Sequence, residues 1–475
     1  MKLRSALWEG ILLQDVYPGT GGNIYVRFFR GLFASLQVIA MGLLAAFFWL
    51  PWNVYSYLLG VCVGISVAYW LCLPKGKAFG RREWGAFLPW ILLYLLFLVS
   101  ISYSADVGAG WRACGRSLSM ILYPVLFLGM KRDFFTPGRL RLLAVCFVAG
   151  CLLECLVKWG IMVDVFLSNP DLEPYRQRGW KVALNQFLSY QGPYMAGKEL
   201  MHTTYEALLL NFAFALTGMA WIREDAFFKS PGRRWAAWLA MAVLAFVLLT
   251  SNSKIGQVLF FCTVLILWVQ TLIHKKYRKT LGLSGVLVLL GGLAMLTIGK
   301  GVTNRVKKTW ESVQTLQIGS KEAVFDDLSA LPRLYCWKTA ATLIQEHPWL
   351  GIGIGSRQVF SERFQQLYPD YRVVYWHPHN QFLAILMTHG VVGLLLFLWF
   401  LFKAFVYLCR ARNVLWWIWG LGLLMVCMTD VFIYGVYGYM YMWGLYGLAA
   451  MEASPRHKFV HSQAECDRPV QRGRA

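Results

Sequence analysis

The chain has 475 residues, of which 58% are apolar and 15% are charged, and its net charge is +22. A soluble globular domain carries about 25% charged residues, so this composition excludes such a domain and predicts a multi-pass membrane protein. The positive excess lies in loops between apolar runs, which indicates membrane topology and not nucleic-acid binding. Eleven cysteines without a C-x-x-C pair indicate neither a disulfide framework nor a thiolate metal site.

Apolar runs long enough to cross a bilayer recur along the whole chain, and they predict an all-α fold with about twelve transmembrane helices. The predicted spans lie near residues 31–50, 53–73, 84–103, 116–130, 142–163, 202–222, 234–250, 255–273, 281–299, 380–402, 413–430 and 433–451.

Basic residues fall into alternate loops, which places those loops and both termini in the cytoplasm by the positive-inside rule. This topology divides the chain into four segments: spans 1–9 in residues 1–299, a large periplasmic loop in 300–379, spans 10–12 in 380–452, and a basic cytoplasmic tail in 453–475. A second periplasmic loop lies near residues 164–201. Since long loops in compact architectures tend to carry function, we expect the site on the periplasmic face.

His379 precedes the span that begins near Asn380. The dipole at a helix N-terminus disfavours an added positive charge, so a neutral imidazole there can accept a proton. Asn380 is a plausible helix cap, and His377 is a rival base. The alternative is a structural histidine at the membrane interface beside aromatic residues. His389 lies ten residues after His379 and does not share a helix face with it. We therefore expect His389, with Gly390 and Gly393, to serve helix packing.

Arg333 and Trp337 lie one turn apart before a glycine-rich stretch that ends at Gly355. The guanidinium suits phosphate oxygens. The glycines lack a preceding strand and predict tight turns, not a nucleotide fingerprint. Lys254 follows small hydroxyl residues at the start of a span, which favours either an anion site or a snorkelling lysine.

The stretch from His202 to Glu206 enters another span from the same face and includes Tyr205. His202 and Glu206 are one helical turn apart, which favours a structural polar pair, with an acceptor-orienting patch as the alternative. Glu154 and Lys158 have the same spacing in the fifth span and are predicted to pair with each other. Metal-ligand motifs such as H-E-x-x-H are absent, and adjacent Asp326 and Asp327 splay apart. The sequence therefore predicts neither a metal nor a cofactor.

Several of these features together resemble the O-antigen ligase and polymerase family of bacterial envelopes. They are His379-Asn380-Gln381, Gly390 and Gly393, the preceding Arg333, Trp337 and His347-Pro348-Trp349-Leu350-Gly351-Ile352-Gly353, and a long external loop before the histidine. The resemblance implies an architecture like that of the C-type glycosyltransferases, in the bacterial inner membrane, with the active site facing the periplasm.

The family's activity is metal-independent transfer of a glycan from undecaprenyl pyrophosphate to an acceptor hydroxyl. Carried over by position, His379 is the general base, Arg333 binds the donor pyrophosphate, and Lys254 occupies the place of a family arginine in Ser253-Lys254-Ile255-Gly256. Lysine keeps the charge but lacks the bidentate fork. Asn380, His377, His202 and Tyr205 are possible supporting residues.

Three functions remain open from the sequence. A ligase would join O-antigen polysaccharide to a lipid A core sugar with inversion, whereas a polymerase would use the same donor and extend the repeat. A lipid-linked glycan flippase would move the donor without making a bond.

Overall fold

The computed structural model describes residues 24–72, 81–130, 134–168, 202–224, 230–250, 253–288, 331–369, 376–433 and 444–452, with residues 170, 173 and 177–179 between them. These residues form helices and connecting turns, with no strand among them. The predicted all-α polytopic fold is therefore confirmed for the described residues. The tail after Glu452, the residues 300–330 and most of the loop 164–201 lie outside the described residues.

Fourteen helices are bounded in this part of the chain. They are α1 (Ile24–Ala46), α2 (Trp52–Leu71), α3 (Arg81–Ser100), α4 (Val107–Arg116), α5 (Ser119–Gly129), α6 (Pro137–Ser168), α7 (Thr203–Ile222), α8 (Pro231–Thr250), α9 (Lys254–Ile273), α10 (Leu331–Glu346), α11 (Arg357–Leu367), α12 (Gln381–Ala411), α13 (Val414–Thr429) and α14 (Leu445–Glu452). A short 3₁₀ turn, Ile101–Tyr103, links α3 to α4.

Seven of these helices are long and apolar enough to cross a membrane: most of α2, the end of α3 with its 3₁₀ turn, and α6, α7, α8, α9 and α12. Two shorter apolar helices lie at Gly31–Ala46 and Val414–Thr429. Each of the nine overlaps a predicted span. The predicted span 116–130 contains the 11-residue helix α5, and most of 281–299 lies outside the described residues. The protein is a multi-pass membrane protein, and twelve spans remain a prediction.

The bundle is built around α7, whose residues are more deeply buried than those of the other candidate spans. It packs against α6, α8, α9 and α13, while α12 packs against α3 and α13. Small residues allow the close approach of α7 and α9, because a Cβ on Gly256 would lie 2.3 Å from the Cβ of Ala207. The starts of α7, α9 and α12 and the end of α13 lie at one end of the bundle, which we call the histidine end.

Helices α10 and α11 lie beside the bundle, and α10 packs against α12. Cys336, Ala340 and Leu343 on α10 form a small apolar cluster with Met387 on α12. Burial of these side chains removes apolar surface from water and fixes the helix that carries Arg333 against the helix that follows His379.

A break in α12 anchors the segment between α10 and α11. Gly390 has φ 62° and ψ −164°, so the helical hydrogen bonds are interrupted there. The amide of Ile352 donates to the carbonyl of Met387 and the amide of Gly353 to that of Thr388, both at 2.9 Å. Gly351 and Gly353 have φ of 69° and 83°, which glycine adopts without steric cost. The predicted tight turns are confirmed, and they complete the hydrogen bonding of a broken helix.

His389 belongs to this packed region. Its ring is fully buried, lies stacked on Phe97 with 4.3 Å between centroids, and approaches the hydroxyls of Thr388 and Ser100 at 2.8 and 3.4 Å. The predicted packing role is confirmed. Gly390 differs from the prediction, because a Cβ there would lie 2.1 Å from the backbone of Trp349. It accommodates a loop and not a neighbouring helix.

Candidate active site

Asn380 fixes the start of α12. Its side-chain oxygen accepts a hydrogen bond from the amide of Leu383 at 3.1 Å, and its side-chain nitrogen donates to the carbonyl of Met428 at 3.2 Å. The predicted cap is confirmed, and the same side chain also holds the end of α13. His379, just before the cap, has φ 49°, a left-handed conformation that histidine tolerates better than most residues.

The segment after α13 is held in place by two further side chains. The side-chain oxygen of Gln381 accepts from the amides of Phe432 and Ile433 at 2.6 and 2.7 Å. The hydroxyl of Tyr205 donates to the carbonyl of Val431 at 3.2 Å. Because Gln381 is fully buried, these bonds are shielded from water and define where the preceding residue, Asp430, lies.

Asp430 lies between two histidines that are far apart in the sequence. One carboxylate oxygen is 3.7 Å from Nδ1 of His379 and the other is 4.0 Å from Nδ1 of His202. The rings of His377 and His379 are 4.2 Å apart, and the His379 amide donates to Nδ1 of His377 at 3.3 Å. We call His202, His377, His379 and Asp430 the histidine cluster. The side chain of Asp430 is 14% exposed and that of His379 is 29% exposed, so solutes can reach the cluster.

Burial and neighbouring charges set the protonation of two members. Burial lowers the pKa of His377 to about 3, assisted by the charges of His379 and Arg357 and opposed by Asp430. For Asp430, burial acts to raise the pKa, but the adjacent His379 and the nearby His202 outweigh it, so the pKa lies below its usual value. At neutral pH the cluster therefore holds a carboxylate beside a neutral His377 ring.

The cluster also has the composition of a metal site. His377, His379 and Asp430 each offer one ligand atom, and these atoms lie within 4.8 Å of one another. Two imidazoles and a carboxylate are a ligand set found at catalytic zinc and iron sites, which leave a position open. Sequence motifs gave no sign of this set, because Asp430 is 51 positions from His379. A metal-free site remains a prediction, and removal of metal ions tests it.

The other predicted site residues lie on separate helices. Arg333 lies half-buried in the first turn of α10. Lys254 is exposed at the first position of α9, where the Ser253 hydroxyl accepts from the amide of Gly256 at 3.1 Å. His202 precedes α7 and Tyr205 lies in its first turn. The structure thus unites His202, Tyr205, His377, His379 and Asn380 around Asp430, with Arg333 and Lys254 on neighbouring elements.

Two predicted ion pairs are wrong in their partners. Lys158 on α6 contacts both carboxylate oxygens of Glu206 on α7 at 2.6 Å, and His202 approaches Asp430 instead of Glu206. Glu154 and Glu206 are both at least 98% buried. Adjacent helices offer partners that one helix cannot, so the i,i+4 spacing did not decide these pairs.

The segment that contains most of these residues is similar to a known protein family. Residues 239–398 match the family model described as O-antigen ligase. The family resemblance is confirmed over this segment. It includes Lys254, Arg333, the glycine-rich turn and His377 to Gln381, whereas His202, Tyr205 and Asp430 lie outside the matched O-antigen ligase segment.

Two curated relatives carry the provisional name polysaccharide ligase. The one from Rickettsia conorii is 25% identical over 222 residues, covering 45% of this chain and 49% of the relative. The one from Rickettsia felis is 26% identical over 200 residues, covering 41% of this chain and 44% of the relative. The chain thus spans about half the length of the curated relatives it matches.

Proposed function

We propose that the protein is an O-antigen ligase, a glycosyltransferase that joins undecaprenyl-pyrophosphate-linked O-antigen polysaccharide to a sugar hydroxyl of the lipid A core. The observation that carries the proposal is the position of His379 just before α12, inside the segment that matches the ligase family, with the carboxylate of Asp430 3.7 Å from its ring. The distribution of basic loops supports a bacterial inner-membrane protein whose histidine end faces the periplasm.

The geometry supports a role for His379 as general base. Nδ1 of His379 faces the Asp430 carboxylate, so a proton on Nδ1 leaves Nε2 free to accept one from the acceptor hydroxyl. Asp430 holds the ring in this tautomer and stabilises the imidazolium that forms, as the aspartate does in a serine-protease triad.

The reaction proceeds by a single displacement. As the hydroxyl proton passes to Nε2, the acceptor oxygen bonds to the anomeric carbon of the donor sugar. The bond from that carbon to the pyrophosphate oxygen breaks, and undecaprenyl pyrophosphate leaves with the electron pair. Attack opposite the leaving group inverts the anomeric configuration. Arg333 and Lys254 are the groups we assign to the negative charge that develops on the pyrophosphate.

The deciding experiment is transfer in vitro from a purified undecaprenyl-linked donor to purified rough lipopolysaccharide. We expect His379→Ala to abolish transfer, because general-base catalysis typically contributes 10²–10⁴-fold, and Arg333→Ala to reduce it strongly. His274→Gln changes an exposed histidine at the end of α9 that is opposite the histidine end, and it serves as the matched control. Full transfer by His379→Ala would exclude this mechanism. No transfer by the wild type, with donor translocation intact in His379→Ala, would favour a flippase.

Two further experiments test metal dependence and separate the ligase from the polymerase. Transfer that survives EDTA supports the metal-independent mechanism, whereas complete loss restored by a divalent ion would assign the histidine cluster to a metal. Deletion of the gene separates the ligase from the polymerase. Cells that still attach long polymer to the lipid A core, or that carry a single repeat on it, would contradict the ligase proposal.

A further inference from the structure

Helix α4 has an apolar face that the described bundle leaves uncovered. Val107 and Trp111, one helical turn apart, are 52% and 61% exposed, while Gly110, Ala113 and Cys114 on the opposite side are buried. Asp106 caps the helix by accepting from the amide of Ala109 at 2.8 Å. This ten-residue helix between two apolar helices is therefore amphipathic, with two large apolar side chains pointing outward.

The turn between α10 and α11 exposes apolar side chains next to this helix. Trp349 is 71% exposed and Leu350 is 50% exposed. The hydroxyl of Tyr103 donates to the carbonyl of Leu350 at 2.9 Å, and the amide of Ala105 donates to the hydroxyl of Ser356 at 3.0 Å. We call Val107, Trp111, Trp349 and Leu350 the interfacial patch, because these contacts join its two halves.

The interfacial patch adjoins a membrane-spanning surface. The amide of Val392 donates to the carbonyl of Trp349 at 3.4 Å, and that of Val391 to the carbonyl of Pro348 at 2.9 Å. Val392 is 40% exposed and Leu395, one turn further along α12, is 60% exposed. Exposed apolar residues on a candidate span face lipid, so Trp349 lies beside the lipid-facing surface of α12, next to the break at Gly390.

The polar residues of α4 fit the same environment. Arg112 and Arg116 lie on this helix, and the Arg112 side chain is 67% exposed at 3.6 Å from Asp106. Tryptophan and arginine are the side chains that favour the boundary between headgroups and hydrocarbon, where an apolar body and a polar or charged group are both accommodated. An amphipathic helix with these residues is typical of segments that lie in the plane of the membrane surface.

We propose that the interfacial patch is a membrane-contact surface seated at the headgroup–hydrocarbon boundary of the leaflet at the histidine end. The patch anchors the C-terminal end of α10 at the bilayer surface, so the helix that carries Arg333 is held at a constant height above the lipid. This inference concerns the position of the protein in the membrane and does not depend on the reaction proposed above.

Accessibility of a nitroxide in lipid nanodiscs tests the proposal. The label is attached to an unnatural ketone-bearing residue at position 111 or 350, so the native cysteines do not interfere. Oxygen concentrates in lipid and a charged nickel complex stays in water. Position 395 on α12 is the lipid reference, and position 365, an exposed glutamine on the polar helix α11, is the aqueous reference.

We expect positions 111 and 350 to resemble position 395, with nickel accessibility several-fold below that of position 365. Nickel accessibility equal to that of position 365 would overturn the proposal. Exclusion of both oxygen and nickel would overturn it too, because the surface would then be covered by protein. Each labelled protein is compared with the wild type by thermal unfolding, and a Trp349→Ser protein labelled at position 350 provides a second measurement if one label disturbs the fold.

Discussion

Replacement of Asp430 by asparagine isolates the electrostatic contribution of the carboxylate to the proposed reaction. Asparagine keeps an oxygen that can accept from the amide of Val431, as Asp430 does at 2.7 Å, so the local backbone is retained. What is lost is the negative charge 3.7 Å from Nδ1 of His379. At that separation opposite unit charges attract by about 1 kcal/mol in water and about 4.5 kcal/mol at an effective dielectric constant of about 20.

Both groups are partly exposed, so the true value lies between these limits. Because about 1.4 kcal/mol corresponds to a factor of ten in rate, we expect kcat to fall by roughly 10- to 10³-fold. The charge acts on the imidazolium that forms as the reaction proceeds, so the donor KM should stay unchanged. Steady-state transfer assays with the purified donor measure both parameters.

Asp106→Asn is the matched control, since Asp106 is a carboxylate at the same end of the bundle that caps α4 through an oxygen that asparagine retains. It should leave kcat unchanged. A wild-type kcat in Asp430→Asn, or an increase in donor KM alone, would refute the assignment of Asp430 to the orientation and stabilisation of His379.

Three further predictions concern the donor site, the polar core and pH. Arg333→Lys keeps the charge but loses the bidentate fork, so we expect a donor KM between those of the wild type and Arg333→Ala; a wild-type donor KM in Arg333→Lys would contradict a bidentate role. Gln381→Leu leaves the amides of Phe432 and Ile433 unsatisfied in a buried site, and since each such group costs about 1–3 kcal/mol, thermal unfolding in detergent should occur at clearly lower temperature, whereas Gln358→Leu on the exposed helix α11 should have little effect. The pKa of His377 is lowered from 6.5 to about 3, so below pH 6.5 the unfolded chain binds a proton that the folded protein does not. The free energy of unfolding should therefore decrease as pH falls from about 6.5, by at most about 1.4 kcal/mol per pH unit from this group, and His377→Gln should flatten that dependence; an unchanged slope would contradict the buried neutral ring.

The local part of the candidate site could be predicted from the sequence because its signals are local. The cap at Asn380 depends on a side-chain oxygen that accepts a hydrogen bond from an amide three residues further along the chain. The turns around Gly351 and Gly353 depend on the conformational freedom of glycine itself. The packing role of His389 followed from its helical position relative to His379. Each of these interpretations needed only the spacing along one element.

The partners of buried charges could not be predicted in this way. Glu206 is one turn from His202 at the start of α7, yet it binds Lys158 of α6, and His202 approaches Asp430 at the end of α13. In a low-dielectric interior a charge takes the partner that best compensates for its lost hydration. Which helix supplies that partner depends on how the bundle packs.

The sequence by itself determined that this chain is a helical multi-pass membrane protein and that His379 precedes a span, because apolar length and cap residues are properties of short segments. Only the tertiary structure decided that Asp430 and His202 join His379, and that a glycine-rich turn enters the break in α12. The physical reason is that Gln381, Asn380 and Tyr205 satisfy backbone groups of a segment about 50 to 230 positions away, and such pairings leave no periodic trace in the chain.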